Sequence, residues 1–246
     1  MEQLELVCRL EVAAVRAWPA TVQRSVPDGW WLRATPGLDR GRSNNALTPC
    51  RELAPAELAP AIERVLSFAG EQRIVPGIQV SPLALHGRLQ RELDQRGWRT
   101  QPPTLVLTGP VAGERGRELS PELEVLDRAS AQWLATWSTC EPGRDVEAHA
   151  ATVFAHLRGR ARFARLDSRA VGISVQSDGL VGMFCVAVDP GHRRAGLATA
   201  LVRALLAQSD AGLAYLQVEE SNAAARAMYE RLGFAETYRY CHRTES

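Results

Sequence analysis

Apolar residues recur along the chain in two patterns, one that lines a helix face and one that runs through short strands. Leu6, Leu10, Ala13, Ala14 and Ala17 stand three or four apart before Trp18-Pro19 interrupts them, which predicts a first helix. Trp30 to Ala34 and Asn44 to Leu47 read as strands on either side of a Gly/Arg/Asp-rich turn from Pro36 to Arg42. Leu58, Ala61, Ile62, Val65 and Ala69 form a second helical stripe. A strand at Ile78 to Val80 follows, then a helix from Leu83 to Arg96 closed by Gly97, then a strand at Leu105 to Thr108.

Gly109 to Ser120 holds Pro110, Gly113, Gly116 and several charges without periodicity, so it reads as a linker between residues 1–112 and 119–246. Past it, Leu123 to Leu126 predicts a strand, Ser130, Trp133, Leu134 and Trp137 share one helical face, and Val146, Ala150, Val153, Phe154 and Leu157 share another. Strands are expected at Ala161 to Leu166, Ala170 to Gln176 and Leu180 to Val188, the last two joined by a hairpin turn at Ser177-Asp178-Gly179. Leu197, Ala200, Leu201, Ala204 and Leu205 give the cleanest helical stripe. Strand Leu213 to Val218, helix Asn222 to Leu232 and strand Phe234 to Tyr240 complete the order.

The halves echo one another. Ile78-Gln79-Val80-Ser81, a helix and Arg96-Gly97-Trp98 parallel Leu216-Gln217-Val218-Glu219, a helix and Leu232-Gly233-Phe234. Upstream, Leu47-Thr48-Pro49 parallels Val188-Asp189-Pro190, so the first half reads as a worn copy of the second.

With 246 residues, 46% hydrophobic and 23% charged, the chain is long enough for two globular domains of roughly 100–150 residues each. Its 29 basic residues, all Arg and no Lys, nearly cancel 28 acidic ones. A formal charge of +1 provides no field to hold a polyanion or an acidic membrane, so neither is expected as a partner. Cys8, Cys50, Cys140, Cys185 and Cys241 are scattered, odd in number and without a CxxC pair. Free thiols and no metal site are therefore expected. The opening Met-Glu-Gln-Leu-Glu lacks a basic, apolar leader, and no run of about 18 apolar residues exists, so a cytoplasmic protein is expected.

The chemistry concentrates where an apolar strand turns into a helix, at Val186-Ala187-Val188-Asp189-Pro190-Gly191-His192-Arg193-Arg194-Ala195-Gly196-Leu197-Ala198-Thr199. Small residues there let backbone N–H groups approach a ligand closely, and a first helical turn leaves those donors unpaired with partial positive charge behind them. A diphosphate fits that need. The glycine spacing is wrong for a dinucleotide fingerprint, and a P-loop would require paired glycines and a Lys.

Arg193-x-x-Gly196-x-Ala198 resembles the [QR]-x-x-G-x-[GA] acyl-CoA loop of the GNAT N-acetyltransferase superfamily, and Val188-Asp189-Pro190 resembles that family's strand end before the loop. A second similar element is Asn222 to Phe234, a helix carrying Asn and Tyr before Gly-Phe. The likeness covers about residues 120–246. It implies an α/β fold of two GNAT-like domains, each with a mixed, mostly antiparallel sheet flanked by helices, the C-terminal one complete. The first is degenerate, since Cys50-Arg51-Glu52-Leu53-Ala54 has no Gly-x-Ala.

The resemblance implies transfer of an acetyl group from acetyl-CoA to a primary amine of a small molecule or a protein, by direct attack. The implied coenzyme contacts are Val186, Ala187, Val188, Arg193, Arg194, Ala195, Gly196, Leu197, Ala198, Thr199 and Asn222. Tyr229 is expected near the thioester sulfur, Glu219 and Glu220 as candidate bases, and Trp133, Trp137 and the loop Thr139 to Asp145 as the acceptor wall. Asp28 to Arg33 and Arg40 to Asn45 are expected to cover the acceptor cleft. His192 is read as an electrostatic helper at the phosphates, and Cys185 as core filler. A non-catalytic acyl-CoA sensor, and a transferase of a bulkier acyl group, are the competing readings.

Overall fold

In the computed structural model, residues 2–38, 41–111 and 122–245 are described. The first half contributes α1 (Glu2–Ala17), β1 (Val22–Ser25), β2 (Trp31–Ala34), β3 (Asn45–Leu47), α2 (Pro55–Gln72), β4 (Gly77–Val80), α3 (Gly87–Gln95), β5 (Arg99–Thr100) and β6 (Thr104–Pro110). The second contributes β7 (Leu123–Leu126), α4 (Ala131–Cys140), α5 (Val146–Thr152), β8 (Arg160–Leu166), β9 (Ala170–Ser177), β10 (Leu180–Val188), α6 (Leu197–Ala207), β11 (Leu213–Glu219), α7 (Ala223–Arg231) and β12 (Ala235–Thr244).

Two expected helices are shorter than their apolar spacing suggests. Leu83–Leu85 forms a separate 3-10 turn before α3, and α5 ends at Thr152 with another 3-10 turn over Phe154–His156.

The strands join into one mixed sheet in the order β1-β2-β3-β4-β12-β6-β11-β10-β9-β8-β7, with β5 on β12. Only β3–β4 and β10–β11 are parallel among the described pairs. The halves exchange their last strands. β6, expected to close the first unit, lies between β11 and β12, while β12 pairs with β6 through residues 235–240 and with β4 through 241–244.

The expected linker also starts too early, because β6 runs on to Pro110. Gly109 there is a packing residue and not chain punctuation: a Cβ would lie 2.7 Å from the Phe234 ring. The remainder of that linker, from residue 112, lies outside the described residues.

Three apolar clusters follow from this layout. On one face of the second half, Trp133, Trp137, Phe163, Phe184, Tyr215, Tyr238 and Tyr240 pack under α4 and α1. Helix α1 therefore covers β9 and β10, although it belongs to the first half. On the opposite face, Leu105, Met183, Leu216 and Val218 pack against α6 and Tyr229 of α7. In the first half, Trp30, Ile62, Ile78 and Leu89 bury the contact of α2 and α3 with their strands.

The expectation of five free thiols is overturned. Cys8 of α1 and Cys50, which follows β3, form a disulfide, and Cys140, Cys185 and Cys241 are not disulfide-bonded. The 42-residue separation of the bonded pair gives no local pattern to read.

Candidate active site

Strand β10 pairs with β11 from Leu180 opposite Leu213 to Met183 opposite Leu216, and the parallel pairing stops there. On its other side β10 shifts register against β9 between Phe184 and Ala187, and Cys185 in the bulge adopts a left-handed φ of +49°. A bulge bends its strand, so β10 leaves β11 and a notch opens between them. The β11-facing backbone groups of Val186 to Val188 gain no strand partner across it.

Beyond the notch, Asp189 accepts from the Gly191 amide at 3.0 Å and lies 2.9 Å from His192 Nδ1. These two contacts hold the Asp189 carboxyl below its ordinary range. His192 is thereby tied to its neighbour on the surface. Arg194 and Gly196 then take left-handed φ of +65° and +78°.

This pair of reversals swings the chain so that Gly196 begins α6 with no side chain capping it. Residues 190–196 are exposed, and a Cβ on Gly196 would meet nothing within 4 Å. The first-turn amides of Leu197, Ala198 and Thr199 thus lie behind open space at the positive end of an 11-residue helix.

Across the notch, Asn222 caps α7 by accepting from the Ala225 amide at 3.1 Å, which leaves its NH2 group available. Tyr229, further along α7, sits in the same apolar cluster as Val186, Val188 and Leu197, edge-on to Phe234 with ring centroids 5.8 Å apart. Burial pushes its phenol well above the ordinary value. No described residue hydrogen-bonds its hydroxyl.

The two candidate bases have different surroundings. Glu220 Oε1 accepts from Arg239 Nη1 at 2.9 Å, and its backbone is held by Pro103 and Arg226. Glu219 is exposed at the open end of β11, where Ser221 Oγ is 3.5 Å from its carboxylate. Alternation along β11 puts Glu219 on the same face as Tyr215 and Gln217.

Trp133 and Trp137 do not form an exposed acceptor wall. Both are fully buried: Trp133 Nε1 donates to the Ala164 carbonyl at 2.9 Å, and both rings pack against Phe154. They are the core beneath α4, because an apolar helical stripe goes to the sheet it covers. The loop from Thr139 to Asp145 is committed to local contacts, with Asp145 capping α5 and Arg144 paired to Glu141.

The structure adds a cleft of about 890 Å³ that reaches Glu219 and is lined also by Asn44, Arg73, Arg99, Thr104 and His242. Asn44 shapes its rim by accepting from the Thr35 amide at 2.7 Å and donating to the Leu38 carbonyl. Asn45 instead turns inward to Gln79, and Arg33 is buried with Nη2 on the Trp18 carbonyl at 2.6 Å.

Behind the cleft lies a polar cluster that the sequence did not reveal. Glu11 of α1, fully buried, accepts from Tyr238 at 2.6 Å, Ser81 at 2.5 Å and Gln79 at 3.2 Å. Burial raises its carboxyl above the ordinary range against the pull of the Ser81 and Tyr238 hydroxyls and of Arg33 and Arg42. Desolvation lowers Arg33 to about 10, and desolvation followed by Arg42 and Arg33 lowers His242 to about 4, so His242 stays neutral.

Among the described residues no group of three or more His, Cys, Asp or Glu could hold a metal ion, and no helix is long and apolar enough to cross a membrane.

The bulged strand β10 thus parts from its parallel neighbour β11 and leads into an uncapped helix start, as the resemblance to the GNAT superfamily implies. Solved structures of this fold include a GCN5-related N-acetyltransferase from Kribbella flavida, 17% identical with TM-score 0.70, matched over 99% of this chain and 95% of that one. Another, from Sphaerobacter thermophilus, is 14% identical with TM-score 0.65 over 98% and 90%. A tandem GNAT protein from the clavulanic acid biosynthesis pathway is 16% identical with TM-score 0.57 over 99% and 93%. At these identities the likeness is one of fold.

The [ribosomal protein bS18]-alanine N-acetyltransferase of Escherichia coli K12 is 47% identical over 57 residues, which is 22% of this chain and only 38% of that protein. The family model described as probable histone acetyltransferase Rv0428c C-terminal matches residues 7–243. The chain belongs to that family, and it shares its fold with the GNAT N-acetyltransferase structures above.

Proposed function

We propose that the chain transfers an acetyl group from acetyl-CoA to a primary amine by direct attack within a ternary complex, and that it is built as two GNAT-like halves of which only the second binds the donor. The observation that carries this reading is the notch beside β10 continuing into the uncapped start of α6. Amides of residues Arg193 to Thr199 hold the diphosphate, and the backbone of Val186, Ala187 and Val188 holds the pantetheine arm as an added strand. The Asn222 NH2 group steadies the same arm. The corresponding segment of the first half has no Gly-x-Ala, since Pro49 is followed by Cys50-Arg51-Glu52-Leu53-Ala54.

The amine nitrogen bonds to the acetyl carbon as the C–S bond breaks. The electron pair leaves on sulfur, and the nitrogen loses a proton to Glu219 or to water in the cleft. A free alkylammonium near pKa 10.4 must shed its first proton before attack, at a cost of roughly 4–5 kcal/mol at neutral pH, so the cleft end at Glu219 matters. The Tyr229 phenol, pushed upward by burial, is a poor proton donor but a sound hydrogen-bond donor to the departing thiolate. Holding both reactants together supplies much of the acceleration.

Tyr229→Phe tests the assignment. Turnover measured by thiol release should fall about ten- to a thousand-fold while the acetyl-CoA Kd stays within about two-fold. Unchanged turnover removes Tyr229 from the reaction. Failure of the unaltered protein to bind acetyl-CoA in calorimetry removes the whole reading.

A further inference from the structure

The acceptor side of the sheet is rich in donors and poor in acceptors. Arg16, Arg24, Arg96 and Arg239 each have a carboxylate within 3 Å. Arg33, Arg42, Arg73 and Arg99 have none within ion-pair distance among the described residues. All four stand around the cleft or the polar cluster behind it, Arg73 and Arg99 exposed at the cleft, Arg33 buried and Arg42 half-buried at the cluster.

The one buried carboxylate there, Glu11, already serves Ser81, Gln79 and Tyr238. Four polar atoms of the cleft and this layer are buried without a hydrogen-bond partner among the described residues: Arg33 Nε, the Tyr215 and Thr244 hydroxyls, and Asn45 Oδ1, the last an acceptor. A buried donor left unpaired is costly, and positive charge accumulated in a desolvated layer is costlier still. Among the described residues Arg33 and Arg42 have no carboxylate of their own to pair with.

Arg42 is the member best placed to receive one. Its guanidinium lies over the Phe184 ring at 5.6 Å and over the Trp18 ring at 5.7 Å, so its orientation is fixed by stacking. Phe184 is the last β10 residue before the bulge, which places Arg42 beside the point where β10 leaves β11. The guanidinium is half-buried, and its chain neighbours Gly41 and Asn44, with His242, line the cleft.

We propose that the amine acceptor also carries a carboxylate or a comparable oxyanion, and that Arg42 binds it while the amine faces the notch beside Glu219. The acceptor class is then small amino acids or short peptides with a free C-terminus, and not basic side chains alone. This rests on the acyl-transfer reading above for its second substrate, but the anion site itself exists with or without turnover.

The test uses the full chain and the α-amino acids together with Gly-Gly, each against its C-terminal amide. With acetyl-CoA saturating, the best carboxylate probe should exceed its amide at least about ten-fold in kcat/KM, as expected for a charge-assisted hydrogen bond. Arg42→Gln should bring that ratio to within about three-fold by raising KM for the carboxylate, leaving the acetyl-CoA Kd and the amide's kcat unchanged. Arg42→Lys should restore part of the ratio, since it keeps the charge without the planar fork.

Free amino acids preferred over Gly-Gly would place the carboxylate next to the amine, and the reverse would place it one residue away. Equal use of carboxylate and amide by the unaltered protein, or an equal loss for both in Arg42→Gln, overturns the proposal. Ligand-detected NMR with the same probes and no acetyl-CoA separates the two readings. Carboxylate binding that Arg42→Gln abolishes, in a chain that transfers nothing, sustains the anion site while the transfer reading fails. No carboxylate-dependent signal from any probe refutes the anion site.

Discussion

Gly196→Ala probes the turn at which the proposed diphosphate contacts begin. Gly196 sits at φ +78°, where a Cβ costs roughly 1 kcal/mol through the backbone alone. No protein atom lies within 4 Å of that Cβ, so no steric cost is added. For a protein of this size the melting temperature should fall by roughly 2–4 °C.

The methyl group points into the open space before the α6 amides, which is where the diphosphate is proposed to lie. If it separates the diphosphate from even one amide, a charge-assisted bond worth about 1.5–3 kcal/mol is lost, and the coenzyme A Kd rises about ten- to a hundred-fold. Gly179→Ala is the matched control. Gly179 has φ +74° and equally empty surroundings but lies in the β9–β10 hairpin, so it should lose the same stability and no affinity. Calorimetric titration with coenzyme A and a thermal melt of each variant decide the matter. A Gly196→Ala protein that melts lower yet binds within two-fold of the unaltered chain refutes the cradle.

The remaining predictions concern covalent structure and pH. Thiol titration of the denatured, unreduced chain should count three thiols of the five cysteines, with Cys8 and Cys50 released only after reduction. A count of five contradicts the bond. The His242 pKa is depressed from 6.5 to about 4, so between those values the unfolded chain takes up a proton that the folded chain does not. This contribution to stability is present above pH 6.5 and is lost as pH falls toward about 4. Urea unfolding across that window should give a shallower pH slope for His242→Phe than for the unaltered chain. Parallel slopes would show that His242 titrates normally.

The legible parts of the sequence were those where neighbours along the chain decide the structure. Periodicity placed α6, β10, β11 and α7 within a residue or two, because each has a continuous apolar face to bury. Strand β1 was illegible since Val22-Gln23-Arg24-Ser25 is mostly polar and owes its existence to pairing with β2 at the sheet edge. Trp133 and Trp137 were found as a helical face, but a stripe alone does not say whether it covers a core or borders a cleft. The bonded cysteines, the β6 position and the Arg42 cluster depend on segments distant in sequence. Glu11 meets Tyr238 across 227 positions, and nothing in residue spacing announces such a contact.

That strand exchange also bears on how the proposed site is held. Strand β11 carries Glu219 and is fixed on its far side by β6, the last strand of the first half. The face opposite α6 is covered by α1, again from the first half, and the Cys8–Cys50 bond ties α1 to the segment after β3. Rotation of one half against the other would have to break β6–β11 or β12–β4 pairing and expose buried amides to do so. The first half therefore holds β11 and the face opposite α6 in place.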